Sequence, residues 1–164
     1  MNRQCELERM SRMAADLKEL IVAEQTEITD YLVWNGKELP ENPEEMEKWQ
    51  KIRICEPWEI LDNYRWFGTK ICIPPSMNGK QVILEIKTGR EGQWDATNPQ
   101  MLLYVNRKLV QAADVNHREL LLSSCAKEGE VFELGLLASS GSVPGDLVIH
   151  THLKTVDDKI LSLY

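Results

Sequence analysis

Residues 64–89 read YRWFGTKICIPPSMNGKQVILEIKTG, and the class of fold turns on how this stretch divides. From Tyr64 to Ile73 apolar and polar side chains alternate, Pro74-Pro75 and Asn78-Gly79 then supply turn chemistry, and Gln81 to Lys87 alternates again. Val82, Leu84 and Ile86 fall on one face of that second run, so two antiparallel strands are expected. The same rhythm continues downstream. MLLYVNRKLVQA (101–112) places Leu102, Tyr104 and Leu109 in strands around a tight turn at Asn106-Arg107. RELLL (118–122), the turn AKEGE (126–130), VFELGLLASS (131–140), the turn GSVPG (141–145) and DLVIHTHLKTV (146–156) follow. Many short strands separated by turn signals, with almost no helix among them, predict a mainly β chain folded as a β-sandwich or jelly roll. A closed barrel is the structural alternative.

Ahead of this region the texture differs. Leu7, Met10, Ala14, Leu17 and Ile21 recur at steps of three and four, the stripe of an amphipathic helix, with Met13 and Leu20 widening it. Such a helix either covers part of its own domain or docks on another domain or another copy. The division expected is a helix over 1–28, an irregular connection over 29–63 with a short helical turn from Glu44 to Trp49, and a sandwich over 64–164. KTVDDKILSLY ends the chain without turn or tail composition, which reads as truncation of a longer protein.

The 19 basic and 26 acidic side chains give a formal charge of -7, which argues against nucleic acid or an anionic membrane as partner. No apolar run reaches transmembrane length and the N-terminus has no leader pattern, so the chain reads as cytoplasmic. Cys5, Cys55, Cys72 and Cys125 are scattered without C-x-x-C spacing and read as reduced thiols, Cys72 and Cys125 half-buried in strands. There is no nucleophile elbow, phosphate loop or dinucleotide fingerprint. His150 and His152 share a strand face, but Lys154 on the same face would repel a metal ion, so an ordinary strand face is expected there. Glycosidic hydrolysis needs two facing carboxylates, for which Glu91, Asp95, Asp114 and Glu119 qualify by type alone.

The unusual material lies in TGREGQWDATNPQ (88–100) and DVNHRE (114–119). If the hairpin between them forms, its ends bring the two loops to one edge of the sandwich. Arg90, Glu91, Trp94, Asp95, Asn98, Gln100, Asp114, Asn116, His117, Arg118 and Glu119 then make a candidate carbohydrate-binding or interdomain surface. A Trp face ringed by Arg, Asp and Asn suits a sugar, as an apolar platform with planar groups for vicinal hydroxyls. The same residues suit a docking surface in which Arg90 and Arg118 pair with Asp95, Glu119 or Asp114.

On these motifs, the REG-x-WDA-x-NPQ loop, the YVN hairpin and DVNHRE, residues 66–141 resemble the β-sandwich that precedes the catalytic domain in family 38 glycoside hydrolases, the α-mannosidases. The pattern of turns also fits the galactose-binding-like sandwiches attached to many glycosidases. The resemblance implies a non-catalytic N-terminal accessory domain, with the catalytic domain of the same polypeptide as partner and homo-oligomers formed through the full-length enzyme. A mannose-containing glycan is the ligand it implies, and an autonomous carbohydrate-binding module is the alternative. It implies no cofactor here: zinc or another divalent metal belongs to the catalytic domain, and Lys154 stands where HTHLK would need an Asp to imitate that metal run. Relatives commonly carry Gly after the Asn of YVN, where this chain has Arg107.

Overall fold

A computed structural model of the chain describes residues 3–36, 49–53, 64–92, 99–139, 141 and 148–157. It opens with α1 (Arg3–Ile21), followed by β1 (Val22–Ile28), β2 (Asp30–Asn35), β3 (Gln50–Arg53), β4 (Tyr64–Cys72) and β5 (Val82–Lys87). After these come β6 (Gln100–Val105), β7 (Lys108–Ala113), β8 (Glu119–Ser123), β9 (Val131–Ser139) and β10 (His150–Val156). They form two antiparallel sheets, a smaller one ordered β1-β10-β5-β8 and a larger one ordered β3-β2-β4-β9-β6-β7. The β-sandwich reading holds.

The stretch that suggested it folds differently from a hairpin. β4 pairs with β2 and β9, whereas β5 pairs with β10 and β8, so residues 73–81 carry the chain from one sheet to the other. Two successive prolines offer no N–H to extend a ladder, and a 3-10 turn at Pro75–Met77 follows them. Met77 is fully buried there. Gly79 N–H donates to the Ala126 carbonyl at 2.7 Å and Ala126 N–H to the Lys80 carbonyl at 2.9 Å, tying the crossing to the β8–β9 connection.

Between the sheets Val82, Leu84 and Ile86 meet Phe67, Ile71, Met101, Leu103, Leu134, Leu136 and Leu153 in one core. The Tyr31 hydroxyl crosses it, donating to Thr151 Oγ1 at 2.5 Å and so linking β2 of the larger sheet to β10 of the smaller. Burial pushes the Tyr31 phenol well above its ordinary pKa. The β6–β7 hairpin turns at Asn106 and Arg107, both with positive φ (50° and 64°), as a two-residue turn of left-handed residues requires. Asn106 Oδ1 also accepts from Glu133 N at 3.0 Å, and Asn106 N–H donates to Glu133 O at 2.8 Å, fixing the hairpin tip to β9.

Several expectations need correction. The helix ends at Ile21, and residues assigned to the helix or to an irregular connection supply β1, β2 and β3. β1 is a half-exposed edge strand with no apolar alternation to mark it, and β2 is only six residues long. Residues 44–48 of the expected helical turn lie outside the described residues, and Trp49 is buried. Leu7, Met10 and Met13 are more than half exposed at 57%, 66% and 53%, so this part of the helical stripe does not cover its own domain. Leu102 and Tyr104 point away from the core, with Met101 and Leu103 inward instead. Cys5, Cys72 and Cys125 are free thiols but exposed, and Cys125 lies outside any strand; Cys55 is outside the described residues.

Candidate functional site: a loop cluster at one edge of the sandwich

The loop after β5 is closed by one side chain. Glu91 Oε1 accepts from Thr88 N–H at 2.5 Å and from Thr88 Oγ1 at 3.1 Å, while its Oε2 accepts from Gly89 N–H at 3.1 Å. Gly89, with φ near 82°, permits the reversal, and a Cβ there would meet Val148 at 3.0 Å. Burial opposes ionisation of Glu91, but the hydrogen bonds from Thr88, its own N–H and the nearby Arg118 charge outweigh it and hold the carboxyl below its ordinary range.

The β7–β8 loop has the same design. Asp114 Oδ1 accepts from Asn116 N–H and His117 N–H, both at 2.7 Å, and from His117 Nδ1 at 3.2 Å. Those bonds, the one from the His117 backbone foremost, hold the Asp114 carboxyl below its ordinary range. Arg118 O accepts from Ile86 N–H at 2.9 Å, which places this loop beside the one closed by Glu91. Across the open edge between the sheets, Gln111 Nε2 donates to Glu119 O at 3.1 Å. The result is a polar cleft of about 420 Å³ lined by Gly92, Gln111, Asn116, His117, Arg118 and Glu119.

Behind this cleft the outer face of the smaller sheet carries an ionic row. Glu27, His152, Glu85 and Glu119 lie opposite one another across β1, β10, β5 and β8. Lys154, expected to repel a cation from the histidine face, instead neutralises this row: its Nζ lies 2.5 Å from Glu119 Oε1 and 3.5 Å from Glu85 Oε1. Lys87 and Arg118 also pair with Glu85, at 3.4 and 3.6 Å. Glu27 stands 3.4 Å from His150 Nδ1 and 3.9 Å from His152 Nε2. Burial, with Lys87 nearby, pushes the His152 imidazole below its ordinary pKa. Among the described residues no group of three or more His, Cys, Asp or Glu is placed to hold a metal ion.

The outer face of the larger sheet carries an apolar row, flanked on the same face by Lys70 opposite Glu133. Trp34, Trp66, Leu137, Leu102 and Ala112 lie in one row across β2, β4, β9, β6 and β7. Trp66 packs on Tyr104 with ring centroids 5.1 Å apart, and Trp34 stacks with Trp49 at 6.4 Å. Gly135 leaves room for this layer, since a Cβ there would touch Trp66 and Tyr104 at 3.6 Å. Where the row meets the β7–β8 loop, Tyr64, Gln100, Leu102, Leu137, Asp114 and His117 are among the residues lining a second cleft of about 500 Å³.

Of the anticipated surface, Glu91, Asn116, His117, Arg118 and Glu119 thus gather with Asp114 at one edge, and Gln100 stands on the second cleft. Arg90 N–H donates to Thr88 Oγ1 at 3.4 Å within the Glu91 loop. Trp94, Asp95 and Asn98 lie outside the described residues. Among the described residues Arg118 pairs with Glu85 rather than with Glu119 or Asp114. Gln111, Lys154, Glu85, Tyr64 and Ser139 were not anticipated, because each joins the site only through strand pairing that brings distant segments together.

No protein-family model matches this chain, and no curated protein matches its sequence. Solved structures do match in fold. A glycosyl hydrolase family 2 member from Bacteroides cellulosilyticus aligns at a TM-score of 0.56 and 15% identity, over 80% of this chain and 20% of that one. Faecalibacterium prausnitzii β-glucuronidase aligns at 0.51 and 10% identity over 80% and 31%. A putative β-galactosidase from Bacteroides fragilis aligns at 0.50 and 14% identity over 82% and 23%. The chain therefore shares the fold of a β-sandwich segment found within glycoside hydrolases and spans less than a third of each of these proteins. Their names belong to family 2 and to glucuronide and galactoside chemistry, not to the α-mannosidases of family 38. No described helix is long and apolar enough to cross a membrane.

Proposed function

We propose that this chain is a non-catalytic accessory domain of a glycoside hydrolase, packing through the outer aromatic face of its larger sheet against the catalytic domain of the same polypeptide. The observation that carries this reading is an apolar row on the outer face of the larger sheet: beside the buried Trp66 and Leu137 it leaves Trp34, Leu102 and Leu109 partly exposed. A sheet built this way is covered on both faces in a finished protein, because a contiguous apolar layer left in water is unfavourable. That the fold recurs as a minor part of much longer glycosidases supports a further domain as the cover.

The chemistry of the loops agrees with a non-catalytic role. Glu91 and Asp114 are committed to backbone N–H groups, and Glu119 is neutralised by Lys154, so none of the three is poised as an acid or a nucleophile. The finer assignment to an α-mannosidase rests on the REG-x-WDA-x-NPQ and DVNHRE motifs alone, and with it the mannose-containing glycan, the zinc or other divalent metal of the catalytic domain and oligomers through the full-length enzyme.

The test is reconstitution from two pieces. This chain mixed with a separately expressed catalytic domain is expected to elute as one complex on gel filtration. Trp34→Glu with Leu109→Glu is expected to weaken that complex at least tenfold while the chain keeps a single cooperative melting transition. Association unaffected by the double substitution would refute the assignment of this face.

A further inference from the structure

We propose that α1 pairs antiparallel with α1 of a second copy of this chain, an interface carried by the helix itself and separate from both outer faces of the sandwich. Every side chain from Arg3 to Asp16 is exposed. The helix meets its own domain at its last turns, where Leu17 and Ile21 are half-buried and Ile21 O accepts from Asp157 N–H at 2.8 Å. A helix of this length left in water is only marginally stable, and in folded proteins it is held by the packing of an amphipathic face. Such a face is present: Leu7, Met10, Ala14 and Leu17 follow one another at steps of three and four, with Met13 beside them.

The pattern of that face selects its occupant. Arg9 and Asp16 stand four residues before and three residues after Met13, so both border the apolar stripe on the same side, two turns apart. Neither has an ion-pair or hydrogen-bond partner among the described residues. Two helices running in opposite directions about a two-fold axis beside Met13 set Arg9 of each copy against Asp16 of the other. The same register sets Leu7 against Leu17 and the long Met10 against the small Ala14. A parallel pair would instead stack Ala14 on Ala14 and put Arg9 beside Ser11. Size and charge therefore match in the antiparallel pair, whose macrodipoles also run in opposition. A second copy suffices as the cover, because one patch carries both halves of every contact.

Sedimentation equilibrium of the full chain at up to about 100 μM tests the pairing, and a reversible dimer is expected. Arg9→Asp alone and Asp16→Arg alone each turn two attractive contacts into repulsions and are expected to weaken the dimer roughly tenfold. The two substitutions together exchange the charges and are expected to restore it. Trp34→Glu with Leu109→Glu is expected to leave the dimer as it is, since those residues lie on the larger sheet. The proposal is overturned if the chain is monomeric throughout, if either single reversal leaves the dimer unchanged, if the double reversal fails to restore it, or if the Trp34 and Leu109 variant dissolves it. The complex with a catalytic domain is read separately, through its own loss in that last variant.

Discussion

Glu91→Gln removes the charge that closes the loop after β5 while keeping the size of the side chain. In the native loop its two oxygens accept three hydrogen bonds, from Thr88 N–H, Thr88 Oγ1 and Gly89 N–H, at 2.5, 3.1 and 3.1 Å. Hydrogen bonds to a charged group each contribute about 1.5–3 kcal/mol when buried, but this carboxylate is partly exposed and screened, so a total near 1–2 kcal/mol is expected. For a chain of this size that lowers the melting temperature by about 2–8 °C. The pH dependence fixes the cause. The folded carboxyl is held below its ordinary range, so its contribution is fully present above the unfolded pKa of about 4.3 and is lost as pH falls through the lower folded value. Urea unfolding of both proteins between about pH 7 and pH 3 is the assay, with the difference in stability largest at neutral pH and closing in acid. A difference that stays constant over that range, or none at neutral pH, would refute the reasoning.

Four further substitutions probe the frame that holds the loops. Tyr31→Phe leaves the buried Thr151 hydroxyl without its cross-sheet donor and is expected to cost about 1–2 kcal/mol in urea unfolding. Thr155→Val replaces a fully buried hydroxyl that makes no hydrogen bond with a methyl of the same shape, and is expected to stabilise the chain by about 1 kcal/mol. Arg107→Gly relieves a left-handed residue in the hairpin and is expected to raise stability by about 1 kcal/mol. Asn106→Gly, by contrast, keeps the turn but gives up the bond to Glu133 N, so it is expected to lower thermal stability.

The parts of the fold that were legible in the sequence are those where a local pattern matches a local cause. Val82, Leu84 and Ile86 alternate because one face of β5 is in the core, and Asn106-Arg107 is a turn because two left-handed residues are needed there. Which strand lies beside which is a different matter. Alternation in Tyr64–Ile73 and Gln81–Lys87 fits a hairpin and an arch equally well, and only the partners β9 and β10, more than 60 residues downstream of their respective strands, decide for the arch. Leu102 and Tyr104 were legible as strand residues but not as outward-facing ones, because β6 is apolar on both sides and its period carries no direction. Residues 88–92 meet the β7–β8 loop through the pairing of β5 with β8, a partnership that no local pattern announces. Nor was Lys154 legible: its role depends on Glu85 and Glu119 arriving from two other strands.

The two outer faces of the sandwich are finished differently, and the contrast bears on which one meets another body. On the smaller sheet, Glu85 and Lys154 are buried yet paired, with Arg118, Lys87 and Glu119 completing the balance of charge, so the ion pairs of this face are closed among themselves, while the buried His152 Nδ1 makes no hydrogen bond. A partner placed there would have to desolvate charges that already have their counterions, at little gain. On the larger sheet, the row from Trp34 to Ala112 offers no charge to desolvate, and Trp34 and Leu102 remain 38% and 36% exposed. Covering it gains apolar burial without breaking an ion pair. The loop cluster sits where these two faces meet at the β7–β8 edge, so a domain seated on the aromatic face would reach the clefts from one side and leave the ion pairs of the smaller sheet undisturbed.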